Sequence, residues 1–410
     1  MQIIKNQVYL GFAEVQIRRA RQVCRLDEWL WYMDADFIVN TITAWDEPPR
    51  ARHQFTQAAS RKFKVAFVTR NKVGLFRIKM YEGAKNTLVV EPYFPIDYRF
   101  RYRLPIINEW YQNWLFRKLK RQFPDASVVN FDCTATEIVK YYPNVIYYCN
   151  DEFRGNTKYK SALVDKYLER CERIMARDAR FCVTTAHFLT QKLKQLNPHT
   201  YEIPLGVSVD GDRITQFAID KNQPKIRVGI MGVINERQYS FTSINKLINH
   251  NRFEVVIIGT VTPEFLAKLD PIDPANLKGM LKGKQLFEEL KTLDVGLALY
   301  NLDFVNPGGT PNKVWQYFAV GKPTVVSALP NLKYMKFPDQ FVYITYSDDD
   351  LIEKIEQAYN ENSPELMKAR VEFAFQNTWD QRFEQFLAVY NDRIAPTGAL
   401  QKAVPDAKNT

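Results

Sequence analysis

Short apolar runs rich in Val, Ile, Phe and Thr recur along this chain, with helix-length amphipathic stretches between them. That is the rhythm of α/β domains built on mainly parallel sheets. In the first half the runs fall at 36–43, 64–69, 87–90, 127–131, 145–148 and 181–184. The rhythm restarts at 226–231, 253–258, 295–300 and 324–327. Between the two series lies Ile203-Pro204-Leu205-Gly206-Val207, followed by a polar stretch. The pattern predicts a first doubly wound domain over 1–207, a linker over 208–223 and a second domain over 224–371. A helix over 372–393 follows, with Phe373, Phe375, Trp379, Phe383, Phe386 and Leu387 as its apolar positions, and then a polar tail over 394–410.

Length agrees with two cores, since 410 residues exceed one ordinary domain. With 46% hydrophobic and 25% charged residues the composition is that of a globular protein. No apolar run approaches the roughly 18 residues of a spanning helix, and the N-terminus lacks the order of a signal peptide, so a cytoplasmic protein is expected. The five cysteines, Cys24, Cys133, Cys149, Cys171 and Cys182, form no CxxC pair, which argues for reduced thiols and against a zinc site. The net charge of +10 is unevenly placed: residues 1–210 carry 33 Lys and Arg against 22 Asp and Glu, and residues 211–410 carry 23 against 24. The first half is therefore expected to meet an anionic partner: a membrane surface, an acidic glycan or a nucleic acid. Within 98–123, seven basic residues face one acid, Glu109, and eight aromatics interleave with them. Such a helix suits the interface of an anionic bilayer, and equally a buried helix with snorkelling charges. The segment 8–31, with Arg18, Arg19 and Arg21, is a second contact candidate.

The densest chemical signal runs from Asn306 to Pro323. Thr310 suits a helix N-cap and Pro311 the first helical position; Gly321 suits a left-handed C-terminal position, and Pro323 ends the helix. Gly308 and Gly309 permit close approach to the backbone, and free amides at a helix start favour phosphate. Lys313 adds a point charge for a diphosphate, Thr310 and Asn312 flank it, and Gln316 lies one turn on, where its amide can hold ribose hydroxyls. Arg237, in the loop after the first strand of the second domain, is a further diphosphate candidate. A plain tight turn with a solvated lysine would use the same residues; the surrounding order separates the two readings.

That order resembles the C-terminal domain of the glycosyl transferase group 1 enzymes. Pro311, Lys313, Ala319, Gly321 and Pro323 stand where the family carries Pro-x-Lys and Ala-x-Gly-x-Pro, and Pro204-Leu205-Gly206-Val207 resembles its domain-junction signature. The stretch from Thr43 to His53 is similar to the opening loop of some polysaccharide-assembly transferases. The resemblance implies the GT-B fold of two Rossmann-like domains, with a C-terminal helix crossing back to the first. It implies transfer of a hexosyl group from a nucleotide-sugar, UDP favoured, to a glycan or lipid-linked acceptor in polysaccharide or glycoconjugate assembly. One departure concerns mechanism: Gly308 and Gln316 occupy the positions of the two glutamates of many retaining members. Lys313 followed by Gln316 resembles instead the membrane-associated glucuronosyltransferase of xanthan assembly, where the pair serves UDP.

Transfer with inversion needs a base for the acceptor hydroxyl, on a loop after a strand of the first domain. Asp151, directly after the strand at 145–148, is the first candidate; Asp46 and His53 follow. Helix capping and turn formation account for these residues equally well. No cofactor is expected, and metal independence follows if amides and Lys313 balance the diphosphate. Peripheral attachment to the inner face of the cell membrane is the expected location. Two competing readings are a basic-surface nucleic-acid-binding protein, for which no motif is present, and a sugar-nucleotide epimerase of the same fold.

Overall fold

The computed structural model describes residues 34–152, 162–208, 213–302 and 308–394. The segment 8–31, the polar tail, Cys24 and Asn306 lie outside them. The first sheet contains β1 (Phe37–Asn40), β2 (Val65–Val68), β3 (Lys72–Val73), β4 (Arg77–Ala84), β5 (Thr87–Phe94), β6 (Ser127–Asn130), β7 (Val145–Cys149), β8 (Phe181–Thr184) and β9 (Thr200–Glu202). Their order is β3-β5-β2-β1-β6-β7-β8-β9, with β4 antiparallel on β5 and every other pair parallel. The central strands are buried on both faces, which explains their nearly continuous apolar runs. Ile38, Ala66, Val128 and Tyr147 point into one core, and Phe37, Phe67, Val129 and Ile146 into the other.

On the first face lie the helices α2 (Pro105–Gln122), α3 (Ala162–Asp178) and α4 (His187–Lys194), after α1 (Ala51–Ala59) on the opposite face. The helix read over 109–123 buries Tyr111, Leu115, Leu119 and Phe123 as its spacing requires, and extends back to Pro105 at its first position. Cys133, Cys149, Cys171 and Cys182 are buried free thiols.

The second sheet comprises β10 (Ile226–Ile234), β11 (Phe253–Val261), β12 (Leu277–Gly279), β13 (Val295–Ala298), β14 (Thr324–Ser327) and β15 (Val342–Thr345). It is parallel throughout, in the order β12-β11-β10-β13-β14-β15. The longer helices of the second half, among the described residues, are α5 (Phe241–Ile248), α6 (Gly283–Lys291), α7 (Lys313–Ala319), α8 (Leu351–Glu361), α9 (Pro364–Phe375) and α10 (Trp379–Ile394). The architecture is thus two Rossmann-like domains, each with the strand order that reverses beside its first strand.

The helix expected over 372–393 is instead α9 followed by α10, because backbone pairing with the domain junction interrupts it. Val207 N–H donates to Asn377 O at 3.0 Å, and Trp379 N–H donates to Val207 O at 3.1 Å rather than continuing α9. A Cβ on Gly206 would fall 2.7 Å from Trp379 N, so only glycine permits the crossing. Beyond it, α10 crosses onto the first domain. Trp379, Phe383, Phe386 and Tyr390 join Phe37, Phe55 and Tyr148 in one core, and Tyr390 OH shares a hydrogen bond with Ser127 Oγ at 2.6 Å. With α1 it forms the helical layer on that face of the first sheet.

Candidate functional site

The carboxyl ends of both sheets turn toward one another. After β8, His187 N–H donates to Asn331 Oδ1 at 3.2 Å, and the His187 ring stacks on Tyr334 with centroids 4.0 Å apart; both partners follow β14. Gly308 packs against Leu189 of α4, where a Cβ would meet the leucine side chain at 3.0 Å. A cavity of about 190 Å³ lies beside this contact, with Thr185, Glu202 and Leu205 on one side and Thr310, Trp315 and Phe373 on the other. Open α/β sheets bind ligands at these ends, at the point where strand order reverses. In the second domain that point lies between β10 and β13, and in the first between β1 and β6.

At the second-domain point stands Lys313, the first residue of α7. Its ammonium lies 4.3 Å from the centre of the Tyr239 ring and 5.1 Å from that of Tyr300, and it donates to Tyr239 OH, which itself donates to Met231 O at 2.7 Å. Gly232, at the end of β10 with φ +120°, makes room: a Cβ there would lie 3.0 Å from Lys313 Cε. Burial draws the lysine pKa down to about 7, and no carboxylate among the described residues offsets the desolvation. Asn301, just past β13, ties the loop after β10 over this cage: its N–H donates to Gln238 O and its side-chain amide to Glu236 O, both at 2.9 Å. Arg237 is exposed on the same loop, with its N–H donating to Asn235 Oδ1. On the far side of Tyr300 is a recess of about 210 Å³ lined with hydroxyl groups, among them Ser240, Ser243, Ser327 and Thr345.

Two expectations for the loop change. Helix α7 starts at Lys313, with the exposed Asn312 before it; Thr310 and Pro311 stand in a preceding turn, closed by Asn312 N–H to Thr310 O and Val314 N–H to Pro311 O. Thr310 is therefore not the helix cap. Gly308 meets the first domain instead of lying open to a ligand. Gly309, Thr310 and Gln316 are half-buried, and Gly321 has φ +74°, the left-handed conformation its position predicted.

At the first-domain point, Asn40 Nδ2 donates to Asn130 Oδ1 at 2.8 Å and braces β1 against β6. Arg52, in the first turn of α1, is buried with Nε and Nη1 lacking a hydrogen-bond partner among the described residues, and desolvation pulls its pKa down to about 10. Glu47, Asp132 and Asp151 act on it electrostatically. Asp151 follows β7 as expected, and its Oδ1 accepts from Glu152 N–H at 2.9 Å. Desolvation raises its pKa to about 6 against the opposing pull of that bond and of Arg52. A carboxylate poised there is ionised at neutral pH yet more basic than an exposed one.

The other two candidates are placed differently. His53 Nδ1 accepts from Arg50 N–H at 3.1 Å and Nε2 donates to Ala44 O at 2.9 Å, so both ring nitrogens serve the backbone around the start of α1. Burial lowers its pKa as well, which suits a neutral structural imidazole. Asp46 is exposed, and its charge is felt by Lys72 and Tyr81 at the sheet edge. Sequence reasoning missed His187 and Arg52. Each directly follows the kind of strand-end loop searched for Asp151, and that position was the available signal. Among the described residues no three His, Cys, Asp or Glu side chains are grouped as a metal set, and no helix is long and apolar enough to cross a membrane.

No family model matches the sequence, and no curated protein matches it. Solved structures do match its fold. A trehalose-6-phosphate protein from E. coli bound with UDP-2-fluoro glucose superposes with a TM-score of 0.62 at 9% identity, over 86% of this chain and 98% of that one. Sucrose-phosphate synthase from Thermosynechococcus elongatus gives 0.63 at 11% identity, over 87% and 98%. A UDP-forming α,α-trehalose-phosphate synthase from Burkholderia xenovorans, in complex with glucose-6-phosphate, gives 0.61 at 11%, over 86% and 98%. At this identity the likeness establishes the fold: the chain has the two-domain GT-B architecture expected from its motifs, including the crossing helix.

Proposed function

We propose that this chain is a metal-independent glycosyltransferase that moves a hexosyl group from a nucleotide-sugar, UDP favoured, to a glycan or lipid-linked acceptor. The observation that carries the reading is the Lys313 cage: a half-buried lysine whose ammonium is desolvated between two tyrosine rings, with no carboxylate beside it among the described residues, at the strand-order reversal of a Rossmann-like domain. An anionic diphosphate supplies the missing countercharge, and the hydroxyl-lined recess beyond Tyr300 suits the nucleoside. Fold neighbours crystallised with UDP-2-fluoro glucose and with glucose-6-phosphate support nucleotide-sugar chemistry by analogy. Gln316 pairs with Lys313 toward the donor, in keeping with the resemblance to the xanthan enzyme.

Mechanistically, the acceptor oxygen attacks the anomeric carbon as the bond from that carbon to the diphosphate oxygen breaks. Asp151 takes the acceptor proton, the Arg52 charge favours the ionised form of Asp151, and Lys313 stabilises the departing diphosphate. A single displacement of this kind inverts the anomeric centre, consistent with Gly308 and Gln316 at the positions of the glutamates of retaining relatives. The test is thermal stabilisation by UDP, GDP, dTDP and CMP, with Lys313→Ala in parallel. A ligand at a hundred times its Kd adds about 2.7 kcal/mol to the folded state. A shift selective for one nucleotide and weakened in the variant supports the donor site; no shift at millimolar concentrations overturns it.

A further inference from the structure

Half of the large apolar side chains left exposed among the described residues fall between 73 and 110, and structure gathers several of them into one patch. Leu75 and Phe76 form the turn between β3 and β4; Leu75 is 84% exposed. The Phe76 ring contacts that of Trp110 in α2 with centroids 5.1 Å apart, and Ile106, 82% exposed, lies one turn before Trp110. Leu104 and Phe100, just before α2, are exposed as well. Scattered apolar side chains need no explanation, but a contiguous set marks an interaction surface.

Direction decides where this patch sits. β5 runs parallel to β1 and β2, so its end at Phe94 lies at the edge of the sheet that carries Asp151 and Arg52. β3 pairs with that end of β5, the β3–β4 turn wraps around it, and α2 starts there. The patch therefore lies at the same carboxyl edge of the sheet as the first-domain site, with β2, β1 and β6 between them. Its surroundings are basic and aromatic. Arg77 lies over the Tyr93 ring at 4.1 Å and Lys79 over Tyr81 at 5.3 Å, Arg103 lies over Tyr102, and Lys72 and Arg99 are paired with Glu91 and Asp97. Further along α2 the exposed Arg117, Lys118 and Arg121 continue the charge, against the single acid Glu109. Arg101, by contrast, is buried against Asn71 and Tyr111 and belongs to the fold.

We infer that the protein docks on an anionic bilayer through the β3–β4 turn and the first half of α2, with Leu75, Phe76, Ile106 and Trp110 entering the interface and the basic residues meeting headgroups. Apolar insertion combined with basic charge is what interfacial binding requires, and interfacial aromatics anchor it. A second copy of the chain would bury the apolar set but leave the like charges opposed; an anionic surface satisfies both. The consequence for the site, which rests on the glycosyl-transfer reading above, is that the acceptor sugar arrives on a lipid carrier and enters the cleft from the membrane side.

The experiment is flotation of the full chain with phosphatidylcholine vesicles, with and without phosphatidylglycerol, at low and high salt. Two double variants, Leu75→Asp with Ile106→Asp and Arg77→Glu with Lys79→Glu, change only exposed positions. Binding is expected to phosphatidylglycerol vesicles alone, to weaken with salt and to fall at least tenfold in each variant. Quenching of Trp110 by brominated lipid, lost in Trp110→Ala, would place the turn in the interface. Absence of binding to anionic vesicles, binding unchanged in the variants, or a wild-type dimer that the apolar variant dissolves would overturn the inference. Nucleotide-induced thermal stabilisation, measured on the same variants, should be unchanged, so failure of docking and failure of the donor-site reading are separable.

Discussion

The two halves of the cleft share a strand order but differ in what they place at the point of reversal. The first-domain sheet brings a carboxylate, Asp151, toward a buried guanidinium, Arg52, so charges of both signs offset in part a desolvation that still dominates each. The second-domain sheet places an ammonium, Lys313, between two tyrosine rings with no carboxylate beside it among the described residues. One end holds charges of both signs before substrate arrives, and the other, among the described residues, only a positive one. In physical terms, a compensated site holds a group ready to exchange a proton, and an uncompensated one waits for an anion. Identical topology thus carries opposite tasks.

The largest expected effect tests the first half. Asp151→Asn should lower kcat by about 10²- to 10⁴-fold, the usual worth of a general base, while nucleotide affinity stays constant. Folding linkage gives this variant a second signature. A carboxyl whose folded pKa is raised contributes stability at low pH that is lost as pH rises through about 6. Asp151→Asn should therefore melt higher than wild type at pH 8 and no higher at pH 4, whereas a purely structural carboxylate would melt lower at both.

Next in size is the loss from the second half. Lys313→Met should weaken nucleotide binding by about 1.5–3 kcal/mol, the worth of hydrogen bonds to a charged group, as read by calorimetry. The same change should raise the melting temperature of the free protein at pH 7 by a few degrees, since the folded state disfavours the lysine proton that the unfolded chain binds up to its ordinary pKa. A variant that weakens binding and destabilises the free protein would break the contrast between the two sites.

Two pH dependences sharpen it further. Only the protonated lysine attracts a diphosphate, so nucleotide Kd should rise as pH passes above about 7. Only the ionised carboxylate accepts a proton, so kcat/KM should fall as pH drops below about 6. The smallest effect belongs to Gly232→Ala. The added methyl at φ +120° presses on Lys313 and should cost on the order of 1–3 kcal/mol of stability, with a parallel loss of nucleotide affinity, both visible in melting curves.

Much of this was legible in the sequence because the strands are buried on both faces and read as apolar runs. Missing were the strands whose neighbourhood is half solvent: β4, with its charged Arg77, Lys79 and Glu82, the short β3, β9 and β12, and the edge strand β15. Lys313 announced itself through its setting of Gly, Pro and Gly, but its inward aim did not, since the tyrosines that hold it are 74 and 13 residues away in the chain. His53 looked reactive by composition; its two backbone partners, one of them nine residues back, could be found only in three dimensions. The break between α9 and α10 has a local part, since Thr378 Oγ1 accepts from Gln381 N–H as the cap of α10 and Asn377 Nδ2 donates to Phe373 O; the pairing with Val207 that Gly206 permits is visible only in three dimensions.

The crossing of α10 also governs how such a chain emerges during synthesis. Roughly 180 residues separate the last strand of the first domain from the helix that seals its second face, a delay of roughly ten to forty seconds at ordinary translation speeds. Through that interval α1 alone of the described helices covers the face around Phe37 and Tyr148, and a ribosome stalled before Trp379 would display the part that α10 later seals to chaperones and proteases in reach. Quality control of this protein is thereby concentrated in its final helix.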